Sequence, residues 1–495
     1  MNAEIRKMMR AKGIKRQPRV LLAAAECAPL SKTGGLADVV GTLPGALAKL
    51  GFDARIITPY HKVIKDKYSS SVEHLFYFYV DLGWRHEYVG IEKLELNGVT
   101  VYLIDNEHYF GQKIYLGGYD EGEQYAFFCR AVLDALPNLG FEPDVIHCND
   151  WHTAMLPMLA KTQYKGAMQS RPGFLITIHN IAFQGKYDFG FVKDVLGVAD
   201  EYCTDDYLEL FGCADFLKAG CVFADRINTV SPNYAREIKT PYFGEGLDGV
   251  LSFRSGRLSG IINGIDTKVF NPKTDKLIPA RYSADRLQGK AVCKAELQRS
   301  MGLNVDPDKP VFAMVTRMTE QKGFDLVLQA VDGLLQNSNM QLMVLGSGDA
   351  GFENAMRGVQ SRYPGRVCAY IGYNEDLAHL VYAGSDFYLM PSRFEPCGLS
   401  QMIAMRYGTV PIVRETGGLK DTVAPYNCFT GEGTGFTFAN YSAEEMAGAV
   451  RYALECWRKP EVMSGLIQRS MNSDFSFDAS ALEYARLYAE IVPEE

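Results

Sequence analysis

The stretch Arg19-Val20-Leu21-Leu22-Ala23-Ala24-Ala25-Glu26-Cys27, followed by the loop Ser31-Lys32-Thr33-Gly34-Gly35, decides the fold. Its first part is a short apolar run, the pattern of a strand buried on both faces. Apolar residues at helical spacing then run from about Leu36 to Leu50, with Gly51 as the stop. A second apolar run, Ala54–Tyr60, completes a strand–loop–helix–strand order, the opening of a doubly wound parallel sheet.

Outward from there, Val145–Cys148, Phe174–His179 and Arg226–Val230 continue the pattern, and an alternating stretch, His74–Asp105, reads as inserted antiparallel strands. After the turn-rich region Asp266–Ala284 the alternation restarts at Pro310–Val315, Gln341–Leu345, Val367–Ile371, Phe387–Met390 and Val410–Val413. From Ser442 onward the tail reads as helices. The expected organisation is a basic tail (1–18), a first domain (19–265), a linker (266–290), a second domain (291–455) and C-terminal helices (456–495) packing back on the first domain. The expected fold class is α/β: two Rossmann-like doubly wound domains facing an interdomain cleft, with ligands at the carboxyl ends of the strands.

The 495 residues exceed what one core of roughly 250–300 residues holds. A composition of 47% hydrophobic and 22% charged residues excludes general disorder. Net charge is −8 with both signs interspersed, which argues against nucleic acid as a partner. The eleven cysteines are scattered without a C-x-x-C pair, so a reduced cytoplasmic setting is expected rather than zinc knuckles or disulfides. The basic N-terminus has no apolar run behind it for a secretory signal, and it is short and poor in Ser for a transit peptide. No stretch approaches the ~20 apolar residues of a membrane span.

The chemistry stands at the strand ends. Lys32, Gly34 and Gly35 form a loop beside a helix start, where free N–H groups, a close backbone and a point charge make a diphosphate seat. Asn149-Asp150-Trp151-His152 and His179-Asn180 end two successive buried strands, and packing alone does not call for polar groups there. In the second half Arg317 and Lys322 share one strand-end loop, a fork and a point charge for one diphosphate. Glu395 precedes Pro396-Cys397-Gly398-Leu399 at a helix start, and sugar hydroxyls suit it as partners. Gly346-Ser347-Gly348-Asp349-Ala350-Gly351 matches a dinucleotide fingerprint, but Asp349 puts a negative charge where pyrophosphate would sit, and NAD is not expected. Asp306-Pro307-Asp308 matches a metal-holding pattern, yet its polar, proline-containing setting reads as a turn.

Lys32 through Asp38, Asp150-Trp151-His152, His179 through Gly185, Val230-Ser231-Pro232, Asn263 through Asp266, Arg317 through Gly323, Ser392 through Leu399 and Glu415 through Asp421 occur in one order over nearly the whole chain. In this the sequence resembles the bacterial glycogen synthase and plant starch synthase family, retaining glycosyltransferases of the two-Rossmann-domain (GT-B) type. The resemblance implies glucose transfer from ADP-glucose to an α-1,4-glucan or maltooligosaccharide, with no cofactor, no metal, no membrane and no nucleic acid. It implies that Lys32, Gly35, Arg317 and Lys322 contact the diphosphate, and that Leu399 offers it backbone. Tyr373 would stack near the adenine, His179 and Asp150 would approach the glucose, and Glu395 would bind its hydroxyls. Gly34, Asp38, Asn180, Cys397 and Gly398 complete the implied donor site. The wider group of retaining transferases carries a second Glu eight positions after the first; Ile403 stands there, which matches the starch synthase branch and leaves the ribose contacts unassigned. A plastid stroma or starch granule would replace the cytoplasm for a trimmed plant protein. The alternatives are a related transferase using another donor such as UDP-glucose, and a non-catalytic glucan-binding relative.

Overall fold

The computed structural model describes residues 3–494. The chain divides into two compact units, residues 1–264 with 477–495, and residues 265–476.

The N-terminal unit is built on a nine-stranded sheet. From its centre, Arg19–Ala23 pairs in parallel with Asp53–Pro59 on one side and with Val145–Asn149 on the other. Gly173–Ile178, Arg226–Thr229 and Leu258–Gly260 follow beyond Val145–Asn149. The strand order therefore reverses between Arg19–Ala23 and Val145–Asn149, and such a switch point opens a crevice at the carboxyl edge. The expected antiparallel insertion is only partly so. Val99–Asp105 pairs in parallel with Asp53–Pro59 and belongs to the parallel sheet; only Glu73–Leu82 and Arg85–Leu96 add antiparallel strands, at the edge. Alternating hydrophobicity reports one-sided burial, not strand direction, so the sequence pattern did not separate these cases. A small three-stranded sheet, Lys186–Tyr187, Cys213–Asp215 and Glu209–Leu210, escapes the apolar pattern because its strands are two or three residues long.

The expected basic tail is helical over Ala3–Ala11, while residues 1 and 2 lie outside the described residues. Ile5 and Met9, four apart, bury on one face with Tyr484, Tyr488 and Val492 of the C-terminal end. Lys12 Nζ donates to the carbonyls of Glu490 and Val492, 2.7 Å each, at the end of the last helix.

The C-terminal unit holds a six-stranded parallel sheet in which Val311–Val315 lies between Gln341–Gly346 and Phe387–Met390. Val367–Ile371 and Val410–Arg414 with Phe436–Phe438 lie outside these, so the order again reverses beside the unit's first strand. The segment expected as a linker (266–290) is packed into this unit. Asp275 accepts from Tyr407 Oη (2.5 Å) and pairs with His379 Nδ1 (2.7 Å), and buried Lys290 donates to the Ala383 and Tyr407 carbonyls. The C-terminal helices divide as well. Pro460–Asn472 packs Met463 and Leu466 into the C-terminal core, and Phe477–Ile491 belongs to the N-terminal unit; residue 495 lies outside the described residues.

Candidate active site

In the N-terminal unit the first-strand loop and the loops after the next two strands converge. Helix Gly35–Lys49 starts from Gly34 with no side-chain cap among the described residues, so its first N–H groups and positive end are available to an anion. Lys32 is exposed and pairs with Asp38 at 2.7 Å. An exposed pair of this kind is worth about 0–1 kcal/mol, little resistance to an incoming phosphate.

Asp150 is tightly constrained. Its backbone lies at φ 58°, ψ −176°, a region that only glycine enters without strain. Hydrogen bonds fix it there: Asp150 N donates to the Thr177 carbonyl (2.9 Å), and Asp150 Oδ1 accepts from His179 N (2.7 Å) and Asn180 N (3.4 Å). Oδ2 has no hydrogen-bond partner among the described residues. Burial, opposed by the two backbone donors, raises the Asp150 pKa to about 7. The His179 ring is neutral at physiological pH because burial lowers its pKa to about 3. Its Nε2 lies 2.9 Å from Asn149 Oδ1, and the Asn149 amide nitrogen is already committed to the Ala23 and His147 carbonyls. That network puts the ring proton on Nε2 and leaves Nδ1 as an acceptor. Asn180 uses its own side-chain oxygen on Ala182 N, 3.1 Å away, in a local turn.

Sequence reasoning passed over Glu26, which is buried at the end of the first apolar run. It accepts from Thr33 N–H, from Thr33 Oγ1 (2.7 Å) and from Tyr115 Oη (2.6 Å), and its charge contributes to raising the Asp150 pKa. As the one charge inside Val20–Cys27 it was findable by the strand-end criterion that picked out Asp150. Tyr115, 89 residues away in the chain, carries no such local signal.

In the C-terminal unit, Arg317 and Lys322 follow Val311–Val315, and Glu395 follows Phe387–Met390; these two strands are neighbours at the switch point. Gly323 makes the turn at φ 77°, where a Cβ would also overlap the Pro391 carbonyl, so the two loops touch through backbone. Lys322 Nζ lies 2.6 Å from Glu395 Oε2, which also accepts from Ser392 Oγ at 3.1 Å. The pair expected to serve phosphate and sugar separately is thus joined, because a buried carboxylate beside a lysine neutralises it. Arg317 is exposed. Cys397 is buried, Gly398 turns at φ 73°, and helix Ser400–Arg406 starts from Leu399. A Cβ on Gly417 would overlap the Glu395 carbonyl, so this glycine permits the close approach that seats Glu395. Tyr373 is exposed in the loop after Val367–Ile371, at the same carboxyl edge.

Two sequence matches resolve structurally. Asp349 caps helix Ala350–Arg362, accepting from Gly351 N (2.7 Å) and Phe352 N (3.4 Å), so a carboxylate fills the position a dinucleotide pyrophosphate would need. Asp306 Oδ1 accepts from Asp308 N at 2.9 Å, a local turn. No group of three or more His, Cys, Asp or Glu side chains among the described residues is arranged for a metal ion, and no helix among them is long and apolar enough to cross a membrane.

The model described as starch synthase catalytic domain matches residues 19–253, and that described as glycosyl transferases group 1 matches residues 299–466. The chain is 48% identical over 480 residues to a glycogen synthase of Geobacillus thermodenitrificans, covering 96% of this chain and 98% of that one. It is 49% identical over 473 residues to one from Lachnospira eligens, covering 95% and 99%. Among solved structures it is similar to the catalytic domain of starch synthase IV from Arabidopsis thaliana bound to ADP and acarbose, with TM-score 0.88 and 32% identity over 97% of this chain and 100% of that one. With two Rossmann-like units, a family match on each, and nearly half of its residues shared with the Geobacillus and Lachnospira synthases, the chain belongs to the glycogen and starch synthase family of GT-B hexosyltransferases.

Proposed function

We propose that the donor is ADP-glucose, and that the chain adds its glucose to the non-reducing end of an α-1,4-glucan with retention of configuration. The observation that supports this reading is the chemistry found at each unit's own switch point: Arg317 and Lys322 in the C-terminal unit, and the buried Asp150 carboxyl with neutral His179 in the N-terminal unit. The ADP of the Arabidopsis structure supports adenine as the base.

Breaking the anomeric C–O bond leaves negative charge on the departing diphosphate and positive charge on the sugar ring. Arg317, Lys322 and Lys32 stabilise the first. Lys322 turns toward phosphate as glucose hydroxyls replace it on Glu395, so the ion pair serves as a neutral resting state. Ionised Asp150 stabilises the ring through Oδ2, and His179 Nδ1 accepts from a sugar hydroxyl. Retention follows if the acceptor hydroxyl attacks from the face the diphosphate leaves. Its oxygen bonds to the anomeric carbon, the bond to phosphate breaks, and the proton passes to the leaving phosphate oxygen. A glucosyl–enzyme adduct trapped by rapid quench would overturn that step.

Incubation with ADP-glucose and UDP-glucose in parallel, with a maltooligosaccharide acceptor, tests the donor. Expected is ADP release at least about tenfold faster than UDP release, an energy difference of ~1.4 kcal/mol. Faster UDP release would replace the donor assignment, and no release from either would end the proposal.

A further inference from the structure

The amino edge of the N-terminal sheet, opposite the edge that carries Asp150 and His179, gathers charges that glucosyl transfer does not use. Arg226 opens the strand Arg226–Thr229, and Arg257 directly precedes Leu258–Gly260. Ile227 pairs with Leu258 in parallel, so the two arginines stand side by side. With Phe253, Arg254 and Glu490 they line a cavity of about 820 Å³ that lies wholly within the N-terminal unit. Like charges on adjacent strands repel, so packing gives no reason to collect three guanidinium groups here.

The carboxylates of the wall are already committed. Glu490 Oε2 pairs with Arg226 (2.8 Å), which also donates to the Gly256 carbonyl (2.8 Å). Asp225 accepts from Lys161 Nζ (2.7 Å) and from Phe174 N (2.8 Å). Arg254 has no carboxylate of its own. It donates to the Val222 carbonyl and, at 2.7 Å, to the Ala224 carbonyl at the end of helix Phe216–Phe223, while its buried Nε has no hydrogen-bond partner among the described residues. Arg257 is exposed and makes no ion pair among the described residues. Burial first, and then the neighbouring Arg257, lower the Arg254 pKa from its usual value. Three arginines and Lys161 thus stand against Asp225 and Glu490, four cations to two carboxylates, in a chain whose net charge is −8.

The excess charge, the volume and one ring decide the occupant. A phosphomonoester carries close to two negative charges on one tetrahedral group at neutral pH, and guanidinium forks can share its oxygens. A nucleic-acid strand is a poor fit, since the acidic remainder of the chain repels a long polyanion. The cavity falls in the range of small-molecule sites, roughly 300–1,000 Å³, and has room for a body beyond the phosphate. Phe253, 93% exposed, offers that body a flat apolar face, on which a base can stack. We infer that Arg254, Arg257 and Phe253 form a second small-molecule site, which takes a phosphomonoester bearing a planar ring, the chemistry of a nucleoside monophosphate.

The test titrates AMP calorimetrically into the full chain carrying Arg317→Ala, which weakens the donor site's own grip on phosphate. AMP should bind in that background, and adding Arg257→Ala should weaken it about tenfold, the loss of a charge-assisted contact. Adding Phe253→Ala should cost a similar factor with AMP and none with ribose 5-phosphate, which has no base. Both side chains are exposed, so thermal midpoints should not move, and Arg257→Ala alone should keep kcat and KM for ADP-glucose. Absence of AMP binding, or AMP binding indifferent to Arg257, would overturn the site. Equal affinities for AMP, ribose 5-phosphate and inorganic phosphate would overturn the proposed ligand. Failure of the donor reading would show instead as ADP affinity unchanged by Arg317→Ala, and the Arg257 comparison would still decide this site.

Discussion

At the carboxyl edge of the N-terminal sheet, Asp150 and His179 are buried, locked by backbone N–H groups and Asn149, and shifted toward their uncharged forms. At the same edge of the C-terminal sheet, Arg317 is exposed, and Lys322 forms an ion pair with Glu395. The first arrangement is preorganised and strained, with one carboxylate oxygen uncommitted. The second is a set of cations in a resting pairing that an anion can redistribute. The contrast matches what the proposed transfer would ask of each half. A sugar ring gaining positive charge needs a fixed, desolvated carboxylate. A triply charged leaving group needs cations that can move onto it.

Substitutions can break or sharpen this contrast. Lys322→Ala should have the largest effect, lowering kcat about 10²–10³-fold, the loss of a principal electrostatic donor. It also leaves Glu395 buried without its cation, at a cost of up to about 3 kcal/mol. Adding Glu395→Gln should restore the unfolding midpoint without restoring turnover. Recovery of both would reduce the lysine to a structural role.

Asp150→Asn should lower kcat about 10²-fold, on the scale of a lost charged group in the site. In the wild type, activity requiring ionised Asp150 falls as pH drops through about 7, and the Asn variant should lack that acidic limb. The stability sign is opposite to that of a salt-bridged aspartate. With the folded pKa raised to about 7, the folded state binds the extra proton between about pH 4 and pH 7. Stability therefore rises as pH falls through that window, and denaturation of Asp150→Asn should show a flatter profile. Asp150→Gly relieves the backbone strain, and urea titration should find it about 1 kcal/mol more stable than Asp150→Asn.

Lys32→Ala, which removes an exposed charge, should raise KM for the donor about tenfold at low salt and less at high salt. The smallest effect belongs to Asp349→Ala. Loss of the helix cap should cost about 1 kcal/mol in denaturant unfolding and leave kcat unchanged. A collapse of donor binding there would revive a ligand role for Asp349.

Much of this was legible in the sequence. Buried parallel strands are apolar throughout, so a polar residue at the end of one is conspicuous, and Asp150, His179 and Glu395 stand out on that rule. Glu26 obeys the same rule, but it stands beside the Ser31–Gly35 loop, whose paired glycines and lysine carry the stronger local signal. What sequence spacing did not carry is pairing across the chain. Lys322 meets Glu395 because two strands distant in sequence are neighbours in the sheet, and Tyr115 reaches Glu26 through a loop with no pattern of its own. The segment 266–290 has turn-rich composition yet is packed, since Asp275, Tyr282 and Lys290 find their partners on distant helices and loops.

The division of labour is tested most directly by calorimetric titration of ADP, without sugar, into the wild type, Arg317→Ala, Lys322→Ala and Asp150→Asn. Either cation variant should weaken ADP about tenfold or more, the loss of a charge-assisted contact. Asp150→Asn should bind ADP as the wild type does. ADP affinity that depended on Asp150 and not on Arg317 or Lys322 would contradict it.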